Sequence, residues 1–134
     1  MIQVSDVSKS FQGLRALDSV NMHVPKGSIY GLVGPNGAGK STVIRHITGV
    51  YRPDSGSILI DGEPVWENVS AKSKMAYIPD DLFYFLQADT LEMKRFYQGI
   101  YPAFDSEMFD RLHDFFPSID PKRNIRRLSK GMQK

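Results

Sequence analysis

Cysteine is absent from the 134 residues. No disulfide can staple the chain and no thiolate can hold a metal, as suits a reducing compartment. Long apolar runs are absent too. None approaches the roughly 18 residues that a membrane-spanning helix needs. Charge of one sign is scarce: 17 Lys and Arg stand against 15 Asp and Glu, so composition gives no reason to expect a nucleic-acid partner. The first residues, Met1 to Phe11, alternate like a strand and lack the apolar centre of a secretion signal. There is no internal repeat and no low-complexity tract. With 41% hydrophobic and 24% charged residues, the expectation is an ordinary cytosolic globular domain.

The patterning that is present changes along the chain. "IQVSDVSKSF" and "SVNMHV" alternate apolar and polar and predict two half-buried strands joined by "QGLRALD". "SIYGLVG" is a short continuous apolar run, which predicts a strand buried on both faces. Val43, Ile44 and Ile47 recur at helical spacing and Gly49 stands where that helix would end. "SILIDGEPV" predicts a strand with a turn at Asp61-Gly62, and "KMAYIP" a buried strand stopped by Pro79. From about Asp89 the texture turns helical. "DTLEMKRFYQGIY" offers Asp89 and Thr90 as caps. "DSEMFDRLHDFF" predicts an amphipathic helix with acidic residues at its start. His23, His46 and His113 have no ligand-like spacing. The basic run Lys122 to Arg127 is expected to be a solvated face.

Chemistry concentrates between Gly34 and Thr42. Gly34, Pro35, Asn36, Gly37, Ala38, Gly39, Lys40, Ser41 and Thr42 fit the pattern G-x-x-x-x-G-K-[ST]. Glycines at this spacing let successive backbone amides converge on phosphate oxygens. A helix beginning near Lys40 adds the positive end of its dipole. Lys40 supplies a cation for the outer phosphates, and Ser41 a hydroxyl suited to Mg²⁺. The loop implies a nucleoside triphosphate without naming the reaction, since kinases, GTPases and ATPases share it.

Taken in order, "GPNGAGKST", "PDSGSILIDG" and "LSKGMQK" resemble the ATP-binding subunit of an ABC transporter. The likeness covers the whole chain and is nearest to bacterial exporter-type subunits. It implies an α/β fold, the P-loop NTPase core of an ABC-type ATPase, incomplete here, with N-terminal antiparallel strands and a helical subdomain. The partial core would occupy residues 1–85 and the helical subdomain residues 86–134. The resemblance also assigns roles. Phe11 stands where the family stacks an aromatic ring on adenine; the alternative is a core residue at a strand end. Asp80 stands where the family has a glutamine facing Mg²⁺ and the attacking water, a departure that leaves direct metal contact open. Ser129 and Gly131 match the signature Leu-Ser-Gly-Gly-Gln, which closes on the nucleotide of a facing subunit; Lys130 and Met132 depart from it. "LFYFL", Leu82 to Leu86, falls beside the groove that receives a helix of the membrane subunit.

The implied cofactors are ATP and Mg²⁺. The implied partners are a second ATPase subunit, head to tail, and an integral membrane subunit that would hold this chain at the inner face of the membrane. The family's later Asp, catalytic Glu and His do not occur in this sequence, so the expectation is an N-terminal fragment that binds but does not hydrolyse ATP. A nucleotide-binding module without turnover and an ABC-type ATPase acting on DNA or ribosomes are the competing readings. A further expectation is that "YGLVG" and "MAYIP" stand exposed, because the strands that would lie between them are not in this sequence.

Overall fold

The computed structural model describes residues 1–79, 83–85 and 87–133. Asp80, Leu82, Leu86 and Lys134, on which some of the expectations above fall, lie outside the described residues. The chain divides into two compact units, Met1–Tyr77 and Ile78–Lys134.

The first unit is built on one antiparallel sheet in the order β2-β1-β3-β4. Strand β1 (Ile2–Phe11) turns directly into β2 (Leu14–Val24). The connection is only Gln12-Gly13, with φ of 47° and 82°, as a two-residue turn of the I′ kind requires. Leu14 to Asp18, expected in a loop, is therefore strand. Val4 and Val7 are both buried although three residues apart. The register shift between them inserts an extra residue on β1, so the two side chains reach the same face. Asp6 has φ 49° there, and its amide donates to Asn21 Oδ1 at 3.0 Å. Strand β3 (Ser55–Ile60) runs along the other edge of β1, and β4 (Glu63–Pro64) along β3. Gly56 crosses the bulge so closely that a Cβ would lie 2.4 Å from the carbonyl oxygens of Ser5 and Asp6, so only glycine fits.

Helix α1 (Lys40–Ile47) lays Val43 on this sheet, in one core with Val4, Val7, Leu17, Ile58, Ile60, Val65 and Ala71. Its end is a glycine-type cap: Gly49 N donates to His46 O at 3.0 Å and Val50 N to Arg45 O at 2.8 Å. A short helix α2 (Val69–Lys72) was not legible in the pattern. Asn68 caps it by accepting from Ala71 N at 3.2 Å.

Two predicted strands are not strands here. Ser28–Gly34 and Lys74–Pro79 carry no ladder among the described residues. Ile29 and Val33 are 103% and 94% exposed, and Ile78 is exposed as well. The cause is physical: a strand exists by pairing, and neither segment has a ladder partner among the described residues.

The second unit is helical. In α3 (Thr90–Ile100), Asp89 accepts from Glu92 N at 2.8 Å while Glu92 Oε2 accepts from Asp89 N at 3.0 Å, a reciprocal cap. Helix α4 (Ser106–Asp114) is capped by Asp105, which accepts from Met108 N at 2.8 Å. Lys94 ties α3 to Asp110 at 2.6 Å and lies over the Phe109 ring. The apolar face predicted for α4 buries nothing: Met108 and Leu112 are exposed, as are Phe115 and Phe116 beyond it. The chain returns through Ile125, buried with Ala88 and Met93, whose amide donates to Ala88 O at 3.0 Å. The four basic residues Lys122, Arg123, Arg126 and Arg127 are exposed, as expected of a solvated face, while Ile125 between them turns inward. A 3₁₀ turn, Ile125–Arg127, interrupts the run, and α5 (Lys130–Gln133) follows.

Candidate functional site

The loop before α1 turns sharply at its glycines. Asn36 and Gly37 form a turn, Ala38 N donates to Pro35 O at 3.3 Å, and Gly37 and Gly39 have φ of 85° and 83°. Gly39 is the residue before the helix, and a Cβ on it would lie 2.8 Å from Ala16 O and 3.0 Å from Leu17 Cδ2. The loop therefore rests against β2 with no space for a larger residue. Helical bonding begins with Val43 N to Gly39 O at 2.9 Å. The amides of Lys40, Ser41 and Thr42 precede it and have no partner within the helix. No side chain caps this end and no acidic residue stands in its first turn. Nothing anionic in the helix competes for those amides, so the dipole and the free N–H groups suit an external anion.

Lys40 Nζ lies in the loop, donating to the carbonyls of Gly34 and Pro35 at 2.6 Å each. The same contacts hold the ammonium at the mouth of the cradle. Ser41 is exposed, and its hydroxyl has no hydrogen-bond partner among the described residues. An exposed hydroxyl at a helix start is a hard oxygen donor of the kind Mg²⁺ takes. Among the described residues there is no cluster of three His, Asp or Glu side chains that could hold a metal by itself.

Phe11 ends β1 and is 38% exposed, with the Tyr51 ring edge-on at 5.3 Å between centroids. It is neither the buried core residue that was the alternative nor a free surface ring. Structure adds two residues that sequence reading missed, Tyr51 and Asp54, and packs His46, which has no ligand-like spacing, in the interior. Tyr51 and Asp54 contact the end of β1. His46, on the buried face of α1, is 0% exposed, its Nδ1 donating to Thr42 O at 2.7 Å and its Nε2 without a partner among the described residues. A single aromatic and a single acid in a turn carry no spacing signal, so only the fold could show them.

Ser129 and Gly131 lie in the second unit. Ser129 Oγ accepts from Met132 N at 3.3 Å, which starts α5. Gln133 Nε2 donates to Ile125 O and Leu128 O at 3.0 and 3.1 Å and so ties α5 to the 3₁₀ turn. A hollow of about 330 Å³ in this unit is lined by Gln87, Asn124, Arg126 and Arg127. Asp80 lies outside the described residues.

The family model described as ABC transporter matches residues 17–134. A ribose/galactose/methyl galactoside import ATP-binding protein of Burkholderia lata is 37% identical over 96% of this chain, which spans 27% of that protein. The ribose import ATP-binding protein RbsA of Pseudomonas putida is 48% identical over 48% of the chain and is covered to 12%. The solved structure of an ATP-binding subunit of an ABC transporter superposes with a TM-score of 0.81 at 28% identity, over 98% of this chain and 57% of that one. A Pyrococcus furiosus ABC transporter ATP-binding protein gives 0.78 at 22% identity and bears on the fold alone. The chain spans about a quarter or less of the length of these curated relatives. They are named as import proteins, so the exporter-type likeness finds no support among them.

Proposed function

The chain belongs to the ABC transporter family, and from that premise we propose that it is the ATP-binding part of a transporter's ATPase subunit. The observation that carries this reading is the cradle: free amides at Lys40 to Thr42, a glycine pressed against β2, and an ammonium at the loop mouth. Gly34, Asn36, Gly37, Ala38 and Gly39 supply the backbone that wraps the phosphates. Lys40 exchanges its carbonyl partners for phosphate oxygens. Thr42 and Ser41 close the first turn of α1, and Ser41 is the residue that would hold Mg²⁺, which supplies charge neutralisation between the outer phosphates. Phe11 stacks on the base.

In this reading Met1–Tyr77 is the partial nucleotide-binding core, and the helical unit presents Ser129 and Gly131 to the nucleotide of a facing subunit. Phe83 and Phe85, both exposed and edge-on to one another at 5.4 Å, form an apolar patch suited to a membrane subunit's docking helix. Among the described residues no helix is long and apolar enough to cross a membrane. In this reading a membrane subunit holds the chain at the inner face of the membrane. The subunit as a whole hydrolyses MgATP. For the present chain the reading is nucleotide binding without turnover. Calorimetric titration of ATP tests the reading. Lys40→Ala should weaken binding by about 1.5–3 kcal/mol, the worth of one charge-assisted contact. Undiminished affinity in that variant would remove the phosphate role.

A further inference from the structure

We propose that Tyr51 is a positioning residue for the base of the nucleotide: with Asp54 it fixes the ring of Phe11 relative to the phosphate cradle. The inference rests on the nucleotide-binding reading above and deepens it. The turn that follows α1 is bound at both ends. At its start, Val50 N and Tyr51 N both donate to Arg45 O, at 2.8 and 3.2 Å, so Tyr51 is held to the last turn of the helix. His46 meets the Tyr51 ring edge-on at 5.6 Å while its Nδ1 donates to Thr42 O, and the Arg45 guanidinium lies 5.9 Å from the same ring. At its other end, Asp54 grips the three residues that precede Phe11. Its amide donates to Ser8 O at 2.9 Å, and its carboxylate accepts from Lys9 Nζ at 2.7 Å and Ser10 N at 2.8 Å.

A continuous path of packed groups thus runs from Thr42, in the cradle, through His46 and Tyr51 to Phe11. Tyr51 meets the Phe11 ring at 63° and 5.3 Å. An edge-on contact of this kind fixes the orientation of Phe11 without covering the whole ring, and part of it stays exposed for a planar heteroaromatic base. The Tyr51 hydroxyl has no hydrogen-bond partner among the described residues, so the ring, not the phenol, does the holding. Phe11 and the phosphate amides sit on different elements, β1 and α1. Their spacing must match the distance from base to phosphates, and the turn from Tyr51 to Asp54 ties the two elements together.

The test compares ATP with inorganic tripolyphosphate, which has the phosphates and no base, in titrations of the full chain. Tyr51→Ala should weaken ATP about three- to tenfold, the size of a lost aromatic pair, and leave tripolyphosphate unchanged. Tyr51→Phe should restore ATP binding. Combined with Phe11→Ala, Tyr51→Ala should add no further loss, because it acts through that ring. Equal losses for both ligands, additive losses in the double variant, or no rescue by phenylalanine would each overturn the inference. If Tyr51→Ala does not fold, Tyr51→Leu carries the same comparison. Tripolyphosphate binding that Lys40→Ala abolishes keeps the site reading whatever Tyr51 does. A chain that binds neither ligand overturns both.

Discussion

At the scale of single residues, backbone conformation sets the site before any side chain does. Gly39 has φ 83° and a β2 carbonyl in the place of a Cβ. Gly39→Ala should therefore destabilise the first unit by about 1–3 kcal/mol, through strain and displacement of the loop. Urea denaturation followed by circular dichroism would show it, and an unchanged midpoint would mean that the loop can shift freely. Asp54 gives a pH prediction. The Lys9 ammonium foremost, then the Ser10 amide, holds its carboxyl below the ordinary carboxylate range. A carboxyl lowered in the folded state adds stability above its unfolded pKa, about 4, and that stability is lost as pH falls through the lowered folded value. Asp54→Asn should melt below the parent chain at neutral pH, and the two melting temperatures should converge as the solution is acidified. A difference that persists in strong acid would refute the assignment.

At the scale of elements, local signals and long-range contacts divide the work. Helix α3 is specified by its own sequence, since Asp89 and Glu92 satisfy each other's amides. Asp89→Ala should remove the bond from Glu92 N to the Asp89 carboxylate, leave the amide of residue 89 free to donate to Glu92, and lower the stability of the helical unit by about 1 kcal/mol. Thermal melts monitored at the helical band would record the drop; no change would show that the Asn124 bridge alone fixes the start of α3. The β1–β2 hairpin is specified as locally, by Gln12-Gly13. Helix α4 behaves differently. Its cap and period are correct, yet Met108 and Leu112 find no cover among the described residues, because amphipathic spacing predicts a face and not what packs on it.

At the scale of the whole molecule, a small antiparallel sheet with α1 forms one packed core, and the helical unit forms another, while apolar segments stand outside both. Amide hydrogen exchange should divide accordingly. Val4, Val7 and Ile58, in buried ladder positions, should exchange slowly, and Ile29 to Val33 at nearly unprotected rates. Protection at Ile29 to Val33 would mean that copies pair along this segment in solution, the known hazard of an unpaired strand.

The sequence by itself determined what depends on neighbours along the chain. It determined the glycine-bearing loop from Gly34 to Thr42 and the helix start beside it, the cap at Asp89, the two-residue turn at Asp61-Gly62 and the helix end at Gly49. In each of these, conformation follows from φ preferences and from hydrogen bonds spanning at most six residues. Only the tertiary structure decided that "SIYGLVG" would not be a strand, that the bulge at Asp6 would bring Val4 and Val7 to one face, and that Tyr51 and Asp54 would stand against Phe11. Tyr51 lies forty residues from Phe11 along the chain and 5.3 Å from it in the fold. Such a contact exists only after β1, β3 and α1 have packed, because pairing and burial are bargains between distant segments that no local pattern can strike alone.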